Sequence, residues 1–285
     1  MTAQSLPARL LRTALEEVAE TYEEIYVVLA PPRTASTVLA RVLWEHELVG
    51  FYAHEPFDLV YHGGARPERA CDAMLRPLDL RKLMCDPARP ARLLVKEMTF
   101  QAARFAPCLI DLATHPIVFL LRDPRLAIAS RMRMVGRGEP LQFRERESGW
   151  TDLADQVEYC RRHRIDYVVL DASEMRRDPD RVLGRLFAYL DLRYSPSLRH
   201  WQPVDVDLGS LGDLQRHWYE RVLASAGIDA PDEPTPALDE FPADDGFRAH
   251  VELAFEIYRE LRRDPHLIEP RERVAPTFAK ASLER

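Results

Sequence analysis

The spacing of hydrophobic positions changes within one stretch of the chain, residues 25–43. Residues 25–30 form an uninterrupted apolar run with β-branched side chains, which predicts a strand that is buried on both faces. Pro31 and Pro32 end this run. The next apolar positions fall on one side of a helix with about 3.6 residues per turn, and they are Val38, Leu39, Val42 and Leu43. The pattern predicts a strand, a tight polar loop and a helix over residues 36–48.

Strand-like and helix-like patterns alternate along the rest of the chain. Short apolar runs predict further strands at residues 93–95, 117–121 and 167–170. Helices are predicted at residues 8–21, 67–80, 125–134, 150–163, 178–190 and 246–263, the fifth with Asp178 as N-cap and Pro179 in its first turn. Strands that alternate with helices favour parallel βαβ units, so we predict an α/β fold with a central parallel β-sheet flanked by helices.

Other stretches lack such periodicity. Residues 50–62 mix aromatic and polar side chains, and residues 136–149 are predicted to be a mobile loop. Residues 229–245 contain seven acidic residues, four prolines and no Lys or Arg, which is typical of a solvated connection or a lid. No stretch marks a domain boundary, so we predict one domain over residues 1–285.

Composition narrows the class of protein. The chain has 285 residues, of which 46% are hydrophobic and 30% charged, and this balance argues against disorder. The net charge of −7 gives no reason to expect nucleic acid as a partner. The N-terminus resembles an amphipathic helix more than a signal peptide, and no apolar run approaches the roughly 20 residues of a membrane span. The cysteines are widely spaced, which favours reduced cytoplasmic thiols over disulfides or zinc: Cys71, Cys85, Cys108 and Cys160.

The loop after the first strand is a candidate anion site. It offers one cation, Arg33, and the hydroxyls of Thr34, Ser36 and Thr37, just where a helix begins. The unpaired N–H groups and the dipole of a helix N-terminus favour bound anions. The loop lacks the glycines and the Gly-Lys-Ser/Thr of a nucleoside-triphosphate loop. A plain helix start capped by Ser36 would have a similar sequence.

A second candidate anion site follows the strand at residues 117–121. Arg122 stands at its carboxyl end, where ligands gather in open α/β sheets, and Ser130 follows eight residues later. Residues 122–137 contain five arginines and one acid, which a solvated basic face would also explain. Two anion sites on neighbouring strand ends indicate a ligand with two separated phosphates.

These motifs resemble those of the sulfotransferase family that uses 3′-phosphoadenosine 5′-phosphosulfate. PPRTAST at residues 31–37 is similar to the family's 5′-phosphosulfate loop, and LLRDPRLAIASR at 120–131 to its 3′-phosphate motif. Residues 167–192 resemble the family's strand, acidic turn and helix, and GSLGDLQRHW at 209–218 stands where the family has a loop over the cofactor. The resemblance covers about residues 24–220 and implies a three-layer P-loop-like fold.

The resemblance also implies binding roles. The 5′-phosphosulfate would be held by the loop residues Arg33, Thr34, Ala35, Ser36 and Thr37. The 3′-phosphate would be held by Arg122 and Ser130, and the loop over the cofactor would contribute Ser210 and Gly212. The sequence departs from the family's pattern at two places. Ala35 replaces a glycine, so we expect a negative φ there. The 209–218 loop lacks the basic pair that is common in the family.

Sulfuryl transfer needs a base for the acceptor and positive charge for the leaving phosphate. His54-Glu55-Pro56 follows the first loop-helix unit, and Glu55 is the first candidate base and His54 the second. Lys96 could neutralise the transferring group, and Glu97 is a further candidate base. A turn with a surface carboxylate is the alternative for Glu55, and a strand-end ion pair is the alternative for Lys96 and Glu97.

The predicted function is therefore sulfuryl transfer, without a metal, from 3′-phosphoadenosine 5′-phosphosulfate to a hydroxyl or amine of a small-molecule acceptor. The product of the donor is 3′,5′-bisphosphoadenosine. A binding protein of the same fold without turnover is one alternative, and a divergent P-loop kinase is disfavoured by the missing Gly-Lys-Ser/Thr. The oligomeric state stays open, a homodimer included. Candidates for the acceptor pocket are aromatic or imidazole side chains near the base: Phe51, Tyr52, Phe57, Tyr61 and His62.

Overall fold

A six-stranded sheet lies at the centre of the structure, a computed structural model that describes residues 6–135, 145–208, 216–228, 234–241 and 245–268. The strands are β1 Glu24–Ala30, β2 Phe51–His54, β3 Leu78–Asp79, β4 Arg92–Met98, β5 Ile117–Leu121 and β6 Tyr167–Asp171. Their order across the sheet is β3-β2-β4-β1-β5-β6. All neighbouring pairs are parallel except β2 and β3, which are antiparallel.

Helices fill most of the connections between the strands. The first group is α1 Leu6–Thr21, α2 Ser36–Trp44, α3 Asp58–Gly63, α4 Arg69–Leu75, α5 Leu80–Leu83, α6 Thr99–Ala102 and α7 Ala106–Leu112. The second is α8 Pro124–Val135, α9 Trp150–His163, α10 Ala172–Arg177, α11 Pro179–Tyr189, α12 Glu220–Leu223 and α13 Asp245–Leu261. The bounds of α9 agree with the prediction, and those of α8 and α13 lie within two residues of it.

Hydrophobic side chains pack against both faces of the sheet. In β1, Ile25, Val27 and Leu29 point towards α1, α4, α7, α9 and α13, whereas the alternate residues point towards α2, α10 and α11. Side chains of a strand alternate between the two faces, so a strand that is apolar at every position is covered on both. The result is a three-layer α/β fold, and this prediction is confirmed.

The sheet departs from parallel pairing at its β3 edge. The sequence predicts one helix over residues 67–80, but α4 ends at Leu75, Pro77 separates it from β3, and α5 begins only at Leu80. Leu78 then pairs with Tyr52 in an antiparallel bridge. The strand β2 falls in the segment that showed no periodicity, because its residues take their partners from β4 and β3.

Strand β4 is longer than its apolar run predicts. The run ends at Val95, but the strand continues through Lys96 and Glu97, both completely buried. Lys96 pairs with Val28 of β1 on one side and with His54 of β2 on the other. The continued pairing with β1 places two charged side chains inside the sheet.

Helix α2 ends four residues earlier than predicted because a buried arginine binds the carbonyls beyond its last turn. Arg89 Nη1 donates to the carbonyl oxygens of Trp44, His46 and Val49 at 2.9, 3.2 and 3.0 Å. Cationic side chains stabilise the carbonyl end of a helix in this way. Arg89 lies 45 residues after Trp44 in the sequence, so the pattern of residues 36–48 does not reveal this contact.

Other sequence predictions have mixed outcomes. All four cysteines are free thiols. Among the described helices, none combines the length and the apolar character needed to cross a membrane. The expected loops at 136–149 and 229–245 lie partly outside the described residues, which include only 145–149, 234–241 and 245 of them. The single-domain organisation of residues 1–285 stays a prediction.

Asp171 connects the end of β6 to two helices. Its carboxylate is buried and caps α10 by accepting a hydrogen bond from the backbone N–H of Ser173 at 2.8 Å. Its second oxygen accepts hydrogen bonds from Tyr258 Oη at 2.7 Å and from Arg262 Nη1 at 3.3 Å. One carboxylate therefore attaches the C-terminal helix α13 to the sheet.

We expect Asp171→Ala to lower the free energy of unfolding by about 2–4 kcal/mol, since it removes a helix cap and a charged hydrogen bond. Tyr258→Phe removes only one of these contacts and should cost about 1 kcal/mol. Urea denaturation of both variants checks the difference. A loss below about 0.5 kcal/mol in Asp171→Ala would contradict the role of this carboxylate.

Candidate functional site

The candidate site lies at the edge of the sheet where the parallel strands β1, β2, β4 and β5 end. The loop that begins at Pro31 follows β1, Glu55 follows β2, Gln101 lies just beyond β4, and Arg122 follows β5. The carboxyl ends of parallel strands meet at one edge, so residues that are far apart in the chain come together here.

The loop between β1 and α2 holds two residues in the left-handed backbone region. Arg33 and Ala35 both have φ of 63°, which for a residue other than glycine costs on the order of 1–2 kcal/mol. The expectation of a negative φ at Ala35 is therefore wrong, because alanine here adopts the conformation for which glycine is usually chosen. The strained conformation turns the chain sharply from the strand into the helix.

The N-terminus of α2 is not capped by a side chain. Ala35 is the N-cap residue and Ser36 the first helical residue, so the alternative of a helix start capped by Ser36 is wrong. The first N–H groups of a helix have no partner within the helix, and together with the dipole they bind anions. An uncapped helix of nine residues that begins beside Arg33 fits an anionic group at this point.

The hydroxyls of the loop differ in their surroundings. Thr34 is completely buried, and its Oγ1 donates to the carbonyl oxygen of Pro31 at 2.7 Å. This contact stabilises the loop itself. Ser36 is buried in the first turn of α2, and Thr37 beside it is partly exposed.

The structure brings the two predicted anion sites into direct contact. Arg33 Nε donates to Ser130 Oγ at 3.1 Å, and Arg122 Nη1 donates to the carbonyl oxygen of Arg33 at 3.1 Å. Arg122 and Ser130 are both buried. Ser210 and Gly212, the predicted residues of the cofactor loop, lie outside the described residues.

A buried ion pair joins Glu55 and Lys96. Lys96 Nζ is completely buried and donates to Glu55 Oε1, and Gln101 Nε2 donates to Glu55 Oε2 at 3.2 Å. The backbone N–H of Glu55 donates to the carbonyl oxygen of Lys96 at 2.7 Å. The backbone of Glu55 is left-handed, with φ of 49°. The side chain of Glu55 is 14% exposed, so the alternative of a surface carboxylate in a simple turn is wrong.

Charge controls the ionisation of Glu55. Burial raises its pKa, but Lys96, His54 and Gln101 lower it more, to about 2. The carboxylate is therefore ionised at neutral pH. A partly exposed, ionised carboxylate at the end of the sheet can accept a proton from a bound molecule.

Glu97 has a different environment from Glu55. Its Oε2 accepts a hydrogen bond from the backbone N–H of Phe57 at 2.7 Å, and its Oε1 from that of Met98 at 2.6 Å. Burial, with a contribution from the charge of Glu55, raises the pKa of Glu97 well above its usual range. Lys96 forms its ion pair with Glu55, so the alternative of an ion pair between Lys96 and Glu97 is wrong.

His54 is buried beside Glu55. Its Nδ1 lies 2.5 Å from Tyr52 Oη, and its Nε2 lies 3.3 Å from Glu55 Oε1. Burial lowers the pKa of His54 to about 4, with the charge of Lys96 acting in the same direction. The imidazole is therefore neutral at pH 7, and both of its nitrogens have neighbours that orient the ring.

Several residues of the site were missed by sequence reasoning. Gln101 Nε2 also donates to the buried carboxylate of Asp58 at 2.9 Å. Trp218 accepts a hydrogen bond from Arg33 Nη1 through its carbonyl oxygen, and Tyr219 packs its ring 5.3 Å from that of His54. The position of Gln101 just beyond a strand end was an available signal, whereas nothing local identifies Trp218 or Tyr219.

The predicted aromatic pocket is only partly formed. Tyr52 and Phe57 are buried in the core, and Phe51 packs against it. Tyr61 and His62 instead lie against Phe100 at ring distances of 4.9 and 6.2 Å. The described part of the chain contains no cluster of His, Cys, Asp or Glu that could hold a metal ion.

We expect His54 to make the protein sensitive to mild acid. The unfolded chain binds a proton at His54 below about pH 6.5, but the folded chain does so only near pH 4. The free energy of unfolding therefore falls as the pH drops through this window, by about 3 kcal/mol in total. Urea denaturation at pH 7, 6 and 5 should show a weaker dependence in His54→Gln, and equal slopes would contradict a neutral buried imidazole.

Comparison with known proteins assigns residues 97–259, more than half of the chain, to a family described as "Sulfotransferase domain". No curated protein matches the chain. The solved structures that resemble this chain include two sulfotransferase domains. The sulfotransferase domain from the Synechococcus PCC 7002 olefin synthase has 15% identity, covers 84% of this chain and 96% of its own, and has a TM-score of 0.49. The sulfotransferase domain from the curacin biosynthetic pathway has 17% identity, covers 85% of this chain and 98% of its own, and has a TM-score of 0.46.

Proposed function

Because the chain belongs to the sulfotransferase domain family, we propose that it transfers a sulfuryl group from 3′-phosphoadenosine 5′-phosphosulfate to a hydroxyl or amine of a small-molecule acceptor. The observation that carries this proposal is the contact of Arg33 with Ser130 beside the uncapped start of α2. A donor with two separated phosphates needs two adjacent anion sites, and Glu55 lies at the same edge of the sheet.

We propose that the 5′-phosphosulfate binds at the loop after β1. The N–H groups of the first turn of α2, the guanidinium of Arg33 and the hydroxyls of Ser36 and Thr37 are the donors for it. Thr34, whose hydroxyl is engaged by Pro31, would act by holding the loop in shape. The left-handed Ala35 supports this role, because it lets the backbone turn its N–H groups towards the anion.

The 3′-phosphate is assigned to Arg122 and Ser130. Both are buried, and a buried guanidinium with a neighbouring hydroxyl is a strong binder of phosphate oxygens. The contact of Arg33 with Ser130 supports this assignment, because it makes the two proposed phosphate sites adjacent.

In the transfer, the acceptor oxygen or nitrogen forms a bond to sulfur while the bond between sulfur and the bridging phosphate oxygen breaks. The electron pair of the broken bond stays on the phosphate, where Arg33 stabilises the negative charge. The proton of the acceptor passes to Glu55. A carboxylate with a pKa of about 2 suffices if the proton leaves after the new bond to sulfur has made it acidic.

Lys96, His54 and Gln101 are positioning residues in this proposal. Lys96 Nζ is completely buried against Glu55, so its role is to keep that carboxylate ionised and oriented. His54 and Gln101 fix the same carboxylate from two further directions. Glu97 is a weaker candidate for the base, because both of its oxygens accept backbone hydrogen bonds.

The alternatives lose support from the same residues. The alternative of a binding protein without turnover depends partly on Ala35 in place of a glycine, but Ala35 has the backbone conformation that glycine would supply. A kinase needs a lysine at the phosphate loop, and the loop offers Arg33 without a Gly-Lys-Ser/Thr motif.

We expect the protein to bind 3′,5′-bisphosphoadenosine and Arg122→Ala to weaken this binding by about 10- to 100-fold, the range for loss of a charged hydrogen bond. Adenosine 5′-phosphate lacks the 3′-phosphate, so its weaker binding should change much less in Arg122→Ala. Isothermal titration calorimetry measures both ligands.

Arg125→Ala is the matched control for this experiment. Arg125 lies in the first turn of α8, three residues after Arg122, and pairs with Asp123 at 2.6 Å. The Arg125→Ala variant should bind bisphosphoadenosine with an affinity within about twofold of that of the unmodified protein. Failure of the unmodified protein to bind bisphosphoadenosine would contradict the proposed function.

We expect Glu55→Gln to abolish most of the turnover with little effect on donor affinity, since it removes the base. It also leaves the buried ammonium of Lys96 without a counter-charge, which costs about 3–5 kcal/mol of stability. The double variant Glu55→Gln, Lys96→Met removes both charges. It should be more stable than Glu55→Gln and equally inactive.

Transfer of labelled sulfate from the donor to a panel of hydroxyl and amine acceptors measures turnover, and urea denaturation measures stability. The single variant Lys96→Met should raise the pKa of Glu55, because the attraction that lowers it is lost. The acid limb of its kcat/KM profile should therefore move to higher pH. Turnover of Glu55→Gln equal to that of the unmodified protein would assign the base to another group.

A further inference from the structure

Arg131 lies beside the site, where it shares the ring of Trp218 with Arg33. It is the next residue of α8 after Ser130, and neighbouring residues of a helix project about 100° apart. Ser130 contacts Arg33, whereas the Arg131 guanidinium lies against Phe100, the neighbour of Gln101, whose amide donates to Glu55. Its side chain is only 12% exposed. Arg131 is thus a largely buried cation near the proposed base.

Aromatic rings surround this guanidinium. Its Cζ atom lies 5.5 Å from the ring centre of Phe100 and 5.7 Å from that of Trp218. Phe100 in turn contacts Tyr61 at 4.9 Å. Such rings hold the planar guanidinium in place through cation–π contacts. The cation is therefore fixed in orientation and surrounded by groups that lower the local dielectric.

A carboxylate already occupies one face of Arg131. Its Nη2 donates to Glu147 Oε2 at 2.7 Å, and Glu147 belongs to a short 3₁₀ helix at Glu145–Ser148. This pair shows that the guanidinium binds a carboxylate in its present surroundings. Glu147 is itself only 15% exposed, so both charges have lost most of their water.

The pair is not required to hold the Glu145–Ser148 segment. Ser148 Oγ lies 2.6 Å from His250 Nε2, and the carbonyl oxygen of Gly149 accepts a hydrogen bond from Thr99 Oγ1 at 2.7 Å. Two independent contacts thus attach the segment to α13 and α6. A buried ion pair adds little to stability, because desolvation offsets the attraction between the charges. The structural explanation for Arg131 is therefore weak.

We propose that Arg131 binds a carboxylate of the acceptor, which takes the place of Glu147 at the guanidinium. The inference rests on the proposed function and adds the substrate class, a small hydroxy or amino acid whose carboxylate lies on Arg131 and whose nucleophile faces Glu55. The rings of Phe100 and Trp218 lie over the guanidinium, so an acceptor with an aromatic or aliphatic body beside its carboxylate is favoured.

The experiment compares 3-(4-hydroxyphenyl)propionate with its uncharged carboxamide as ligands of the protein saturated with 3′,5′-bisphosphoadenosine. Calorimetry should show the carboxylate binding at least about tenfold more tightly than the amide. In Arg131→Met this preference should disappear through loss of carboxylate affinity, with amide affinity unchanged. In Glu147→Gln carboxylate affinity should rise, since the competing carboxylate is gone.

Arg133→Met is the matched control, because Arg133 is an exposed residue of the same helix, and it should retain the full preference. Arg131→Lys keeps the charge and should keep part of the preference, which guards against a folding defect in Arg131→Met. Absence of any preference in the unmodified protein, including no detectable binding of either ligand, overturns the inference. Equal losses for both ligands in Arg131→Met overturn it as well. Bisphosphoadenosine binding is measured first, and its absence would instead contradict the proposed function.

Discussion

The buried ammonium of Lys96 is the constraint around which the site is arranged. Strand β4 lies between β1 and β2, and its pairing with both carries a lysine into the sheet with no access to water. A buried charge is tolerated only with a counter-charge and further hydrogen bonds. Glu55 supplies the counter-charge, and its unusual backbone, the neutral His54 and Gln101 all serve to hold that carboxylate against the ammonium.

Three of the seven non-glycine residues with positive φ in the described part of the chain lie at the same edge of the sheet. Arg33 and Ala35 belong to the loop after β1, and Glu55 follows β2. Strained residues persist where surrounding contacts determine the conformation, and here those contacts are the hydrogen bonds of Thr34 and Arg122 to the loop. These backbone conformations help to place the N-terminus of α2 and the carboxylate of Glu55 at the same edge of the sheet.

Two neighbouring residues, Trp218 and Tyr219, connect the two halves of the site. Trp218 contacts Arg33 of the donor loop and also Arg131, while Tyr219 packs on His54 beside the base. A substitution at Trp218 would therefore act on both halves together. Helix α8 makes a similar connection, since Ser130 contacts Arg33 and Arg131 lies against Phe100. In the proposed mechanism, donor and acceptor binding would therefore depend on shared elements.

The sequence by itself determined the α/β layers, because runs such as residues 25–30 and the periodicity of residues 150–163 are local consequences of burial. It also identified Arg33, Arg122 and Ser130, which stand at fixed positions after apolar strands, and the structure brings these three into contact. Only the tertiary structure decided that Lys96 pairs with Glu55, that Ala35 is left-handed, and that β2 and β3 form strands. Each depends on partners supplied by distant segments, and a single sequence carries no local signal for such a partner.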